Sequence, residues 1–211
     1  MSALFLKRFI RNPFKVASIV PSSRTLIRRV SGKMDFTAPR VIAEYGPGEG
    51  CHTREIARRM HRESRLLLFE LDPQLCTHLS AQFAGDPRVS VHNTDCARLP
   101  DVLAEAMLTH CDYIVSGIPF SILEKEKKRE ILSNTHAALK PAPDSAFIIY
   151  QVTNELRARG HCNHFAHAES EYCLVNLPPM FVTTFYKQAN GRTAHAGNGK
   201  NGRRMNGNGA H

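Results

Sequence analysis

Val41-Ile42-Ala43-Glu44-Tyr45-Gly46-Pro47-Gly48-Glu49-Gly50 decides the fold. The first five residues read as a buried strand. Three alternating glycines then let the backbone turn tightly, and a helix is predicted over 53–62. The same alternation continues outward. Strands are predicted at 66–70, 89–92, 113–116 and 146–150, and helices at 73–83, 97–109 and 123–139. Two last strands, 172–176 and 181–186, follow an irregular stretch with no helix between them. Strands alternating with helices predict a mostly parallel sheet covered on both faces. The final pair predicts an antiparallel hairpin at its edge. The expected class is therefore α/β, with seven strands.

The 211 residues give room for one domain with a full core. The net charge of +9 is unevenly placed. Residues 1–34 carry eight basic residues and no acid, and residues 187–211 carry five and no acid. The middle holds 15 basic against 19 acidic residues. Basic ends on an acidic body predict attachment to something anionic, a membrane surface or nucleic acid. Residues 3–12 predict a short helix with Lys7, Arg8, Arg11 and Lys15 on one arc. Phe5, Leu6, Phe9, Ile10 and Phe14 fall opposite. An interfacial helix and a helix packed on the body share such a wheel, and three phenylalanines opposite nearly pure Lys/Arg favour the interface. A second helix is predicted from Pro21-Ser22-Ser23 through Ile27 to Met34, with Ser22 or Ser23 as N-cap. The expected organisation is 1–34 as basic and amphipathic helices, 35–188 as the α/β domain, and 189–211 as a disordered Gly/Asn-rich tail.

No uncharged stretch reaches the ~18 apolar residues that a spanning helix needs. The longest, 172–186, contains Asn176, Pro178 and Pro179. Basic residues interrupt the apolar ones at the start, against a secretory signal. The cysteines Cys51, Cys76, Cys96, Cys111, Cys162 and Cys173 include no CxxC pair, so reduced thiols in the cytoplasm are expected. His161-Cys162-Asn163-His164-Phe165-Ala166-His167 matches no standard zinc spacing, and a polar loop without metal is expected.

Glu70 lies 22 residues after Gly48, at the end of the second predicted strand. A carboxylate there can take both hydroxyls of a ribose. Asp95 follows the third strand, where a side chain can reach an adenine edge. The turn is GxGxG, with Cys51 where a dinucleotide site needs its third glycine. Glu44 and Glu49 flank it, a poor cradle for a pyrophosphate because like charges repel. They suit a ligand with a cationic centre and a free amino group, which is S-adenosylmethionine. On these motifs the chain resembles a class I, Rossmann-like methyltransferase. The resemblance implies a cofactor set of Glu44, Gly46, Gly48, Glu70, Leu71, Asp95, Cys96 and Ser116.

The fourth strand runs into Ser116-Gly117-Ile118-Pro119-Phe120. This spacing resembles that of rRNA adenine dimethyltransferases, with Ser116 in place of their amide or carboxylate and Gly117 expected to loosen the clamp. A closer resemblance is to bacterial phospholipid and ornithine-lipid N-methyltransferases. It is carried by the basic amphipathic start, by Ser18-Ile19-Val20-Pro21-Ser22-Ser23, by Glu44 to Gly50, and by Asn176-Leu177-Pro178-Pro179. It covers residues 3–187. It implies a monomeric peripheral enzyme on the inner face of the cell membrane, with no nucleic-acid partner. Methyl groups would pass from S-adenosylmethionine to the amine of phosphatidylethanolamine or an ornithine lipid, leaving S-adenosylhomocysteine. The alternative is an rRNA adenine N6-methyltransferase. Tyr45, Tyr150 and Ser116 are the candidates to orient the acceptor amine. Lys7, Arg8, Arg11, Lys15, Ser22, Ser23, Ile118 and Pro119 are the candidates to meet lipid.

Overall fold

In a computed structural model, residues 22–158 and 165–187 are described. The predicted helix with Lys7, Arg8, Arg11 and Lys15 lies outside them, as do His161, Cys162, His164 and the tail from 189. The strands are β1 (Val41–Tyr45), β2 (Arg65–Phe69), β3 (Val89–His92), β4 (Tyr113–Ser116), β5 (Ala146–Gln151), β6 (His167–Cys173) and β7 (Met180–Tyr186). The α-helices are α1 (Arg24–Ser31), α2 (Cys51–Arg59), α3 (Pro73–Gln82), α4 (Leu99–Glu105), α5 (Lys125–Ala138) and α6 (Glu155–Ala158).

All seven strands form one sheet in the order β3-β2-β1-β4-β5-β7-β6. Neighbours from β3 to β5 pair in parallel, and β7 runs antiparallel to both β5 and β6. This is the expected Rossmann-like α/β sheet, with the antiparallel pair at its edge. Side chains alternate across each strand, so β1 sends Ala43 and Tyr45 to one face and Ile42 and Glu44 to the other. On the Tyr45 side, Phe69, Ile114 and Phe147 pack with Leu99, Val102, Ile131 and Leu132 of α4 and α5. On the other side, Leu66, Leu68, Val115 and Ile148 pack with Leu26, Ile56 and Leu79 of α1, α2 and α3. Two buried layers thus hold the carboxyl ends of β1, β2 and β4 side by side.

Several boundaries differ from the sequence reading for local reasons. α1 starts at Arg24 because Ser23 caps it, its Oγ accepting from Leu26 N at 3.1 Å, so Ser23 and not Ser22 is the N-cap. α2 begins at Cys51, directly after the left-handed Gly50. The predicted helix over 97–109 is a short 3₁₀ turn, Cys96–Arg98, followed by α4, whose first turn contains Pro100. β6 occupies 167–173, where an irregular stretch was expected, and residues 174–179 make the turn to β7.

Candidate active site

The site forms where the glycine turn leaves β1. Gly46, Gly48 and Gly50 have φ of 66°, 57° and 77°, a conformation that side chains disfavour. The turn is tied to its neighbours: Gly46 N donates to Phe69 O at 2.9 Å, and Gly117 N donates to Tyr45 O at 3.0 Å. A Cβ on Gly46 would stand 3.3 Å from Ile118 Cγ1, so the acceptor loop packs directly against the turn.

Glu70 braces this turn from β2. Its Oε2 accepts from Gly48 N at 3.2 Å, and its Oε1 accepts from Leu71 N at 2.9 Å and Asp72 N at 3.1 Å. Leu71 beside it is 69% exposed, an apolar surface at the rim. Asp95 caps the 3₁₀ turn through Ala97 N at 2.8 Å and pairs with Lys127 Nζ at 2.9 Å. Cys96 is buried, and burial pushes its thiol up to about 12, so it stays neutral.

Glu44 is fully buried. Its Oε2 accepts from Thr53 Oγ1 at 2.7 Å, while its Oε1 has no hydrogen-bond partner among the described residues. Burial raises its pKa to about 7, opposed by the Thr53 hydrogen bond and helped by the charge of Glu70. A buried carboxylate with one oxygen unsatisfied is costly by itself and fits a cationic ligand group. The turn, Glu44 and Glu70 therefore fit S-adenosylmethionine.

The acceptor side differs from expectation in three respects. Ser116 is buried, and its Oγ accepts from Ile118 N at 3.2 Å, so the hydroxyl shapes the loop. Tyr45 is a core residue: its ring meets Phe69 edge-on at 5.8 Å, and its hydroxyl lies 3.1 Å from Thr135 Oγ1. It points away from Glu44 because adjacent strand residues face opposite sides, so its hydroxyl lies in the core and does not orient an acceptor amine. Gly117 does not loosen the loop but makes room for Tyr150. A Cβ there would fall 2.4 Å from Tyr150 Oη and 2.9 Å from Cζ.

Tyr150 stacks on His52, ring centroids 4.2 Å apart at 23°. His52 is a residue that sequence reasoning missed; nothing in Cys51-His52-Thr53 signals it. It is buried, with its pKa lowered to about 3 by burial, and its Nε2 lies 2.9 Å from Ser22 Oγ. Ser23 N donates to Asn176 Oδ1 at 2.9 Å, and Asn176 Nδ2 donates to Pro178 O at 2.9 Å. Ser22-Ser23 and Asn176-Leu177-Pro178-Pro179 thus meet beside the acceptor loop. Among the described residues no group of three His, Cys, Asp or Glu side chains stands close enough to hold a metal.

A methyltransferase-domain family matches residues 42–142. An ornithine lipid N-methyltransferase of Singulisphaera acidiphila is 31% identical over 139 residues, which cover 66% of this chain and 72% of that protein. The chain belongs to the ornithine lipid N-methyltransferase family. It is a class I methyltransferase, and its cofactor is S-adenosylmethionine. The methyltransferase is also similar to a ribosomal RNA small subunit methyltransferase A of Parasynechococcus marenigrum, 27% identical over 68% of this chain and 47% of that one. Among solved structures, a precorrin-6y C5,15-methyltransferase of Geobacter metallireducens aligns with a TM-score of 0.61 at 15% identity, covering 79% of this chain and 89% of that one. An S-adenosylmethionine-dependent methyltransferase of Aquifex aeolicus aligns with a TM-score of 0.58 at 12% identity, covering 88% and 98%. Both share the methyltransferase's fold.

Proposed function

We propose that this methyltransferase acts on the amine of a membrane amino lipid, phosphatidylethanolamine or an ornithine lipid, as a peripheral enzyme of the inner membrane face. The observation that carries the reading is the acceptor loop. Ser116 Oγ is spent on Ile118 N, and no carboxylate or carboxamide side chain stands in 116–120. An adenine amine, its lone pair delocalised into the ring, needs such an acceptor to build up charge. An aliphatic amine is nucleophilic once neutral, and alignment then suffices. The 31% identical relative supports the same class of acceptor.

Glu44 would hold the cofactor's ammonium, Glu70 its ribose hydroxyls and Asp95 its adenine amine, with Leu71 and Cys96 lining the ring. S-adenosylmethionine, when bound, supplies an electrophilic methyl group. A lipid amine with a pKa near 10 is mostly protonated in water and must lose that proton. Burial of the amine against Ile118 and Pro119 favours its neutral form. Tyr150 is held neutral by burial, its pKa well above the ordinary value, so it serves as a hydrogen-bond partner and not as a base. The backbone carbonyls of 116–118 can take the remaining amine proton contacts. Lys7, Arg8, Arg11 and Lys15 would face anionic head groups.

Radiolabelled S-adenosylmethionine offered together with rRNA and amino-lipid micelles should label the lipid phase alone. Label in RNA with an empty lipid phase would establish the adenine reading instead.

Glu44 gives a pH signature. Only its ionised form attracts an ammonium, so cofactor affinity should rise through about 7. Affinity one pH unit below that value should be about tenfold weaker than one unit above it. For stability the sign is opposite. The folded pKa is raised, so folding stability of the cofactor-free protein is full below 4.5 and falls as pH rises to about 7. The loss is about 3 kcal/mol. Calorimetry and thermal melts of Glu44→Gln should show both slopes flattened; unchanged slopes would assign them to another group.

A further inference from the structure

Leu174, Val175 and Leu177, in the β6–β7 turn, are 71%, 70% and 80% exposed. The polar residue among them, Asn176, is 1% exposed. An ordinary surface turn does the reverse. This inversion is built in, because Asn176 is fixed inward by its bonds to Ser23 N and Pro178 O. The three aliphatic side chains are thereby held outward on a fixed turn.

The place of the turn matters. β6 runs antiparallel to β7, which runs antiparallel to β5. The end of β6 therefore lies at the same sheet edge as the ends of β1, β4 and β5, where the glycine turn and the acceptor loop stand. The charge beside the turn is positive. Arg24 and Arg28 are exposed on α1, which carries no acid and begins one residue after the Ser23–Asn176 contact. The acid nearest the turn in sequence, Glu171, is engaged by both Arg29 and Lys33. An apolar tip flanked by two exposed arginines, of which Arg28 also feels the charge of Glu55 on α2, is complementary to an anionic lipid surface, with hydrocarbon below and negative head groups around it.

We infer that the 174–177 tip enters the bilayer interface and, with Arg24 and Arg28, docks the acceptor loop over an anionic membrane. The inference rests on the lipid reading above, since a substrate anchored in a bilayer must be met at the surface. It assigns docking to a part of the fold separate from the predicted 3–12 helix.

The test uses the full chain in flotation with phosphatidylcholine vesicles and with the same vesicles doped with phosphatidylglycerol. Leu174→Ser/Val175→Ser should lose about tenfold or more in affinity for the doped vesicles. Both side chains are exposed, so the melting temperature should hold. Val175→Trp should strengthen binding, since tryptophan favours the interface. Turnover of a short-chain amino lipid dispersed in water should be the same in all three proteins. Wild-type flotation by Leu174→Ser/Val175→Ser overturns the inference, as does a wild-type dimer that this variant dissociates. Labelling of RNA alone, with flotation still lost in the variant, would leave the docking tip standing and remove the lipid substrate.

Discussion

Gly117→Ala should lower turnover by about 100-fold while S-adenosylmethionine affinity stays near wild type. The new Cβ would sit 2.4 Å from Tyr150 Oη, closer than such atoms approach in folded proteins. Tyr150 cannot swing away freely, because His52 stacks on its ring at 4.2 Å. His52 is itself buried and bound to Ser22. The acceptor loop must therefore shift, and a misplacement of ~1 Å at a reacting centre costs about 10²-fold. Cofactor affinity changes far less because, besides its contacts with the acceptor loop, the glycine turn is held from the β2 side by Gly46 N to Phe69 O and Gly48 N to Glu70. The cause can be isolated by a double-mutant cycle. In a Tyr150→Phe background the 2.4 Å clash is gone, although the 2.9 Å contact with the ring carbon remains. The alanine should then cost much less. An equal cost in both backgrounds would show that Gly117 serves something other than this tyrosine.

Glu70→Ala should weaken S-adenosylmethionine binding by about ten- to a hundredfold, from the loss of hydrogen bonds to a charged group worth about 1.5–3 kcal/mol. The geometry adds a second effect. The amides of Gly48, Leu71 and Asp72 all donate to this carboxylate. Removing it frees the glycine turn as well as the ribose contact, so the melting temperature of the cofactor-free protein should fall too. Glu70→Gln keeps an acceptor oxygen and should recover part of the melting temperature but little of the affinity. Calorimetry with wild-type-like affinity for Glu70→Ala would remove this residue from the cofactor site.

What could be read in the sequence was what local chemistry determines. β1, β3 and β4 fall where expected because short apolar runs bounded by turn residues leave few alternatives. Glu44 and Glu70 are legible because a carboxylate next to three glycines, followed by another at the next strand end, is the charge pattern of a nucleoside site. β6 was displaced because its sequence, with His167, Glu169 and Glu171, has no buried face to announce itself. It is a strand because β7 pairs with it across seven positions, and pairing outweighs propensity at an edge. Tyr45 is adjacent to Glu44 in sequence, but strand alternation sends the two side chains to opposite faces of the sheet. The stacking of His52 on Tyr150 joins α2 to β5, a contact between distant segments that no local pattern announces.

The hydrogen bond between Ser23 and Asn176 also bears on how the chain is made. Its partners are 153 residues apart, so Ser23 leaves the ribosome long before Asn176 exists. At ordinary synthesis rates the wait is on the order of ten to thirty seconds. During that interval the glycine turn and most parallel strands can already pair, but the segment that holds His52 from above has nothing to fasten to. A nascent or prematurely terminated chain would thus hold most of a nucleotide fold without the latch beside its acceptor loop. The Ser23–Asn176 contact is completed by the β6–β7 hairpin, after the strands that carry the glycine turn.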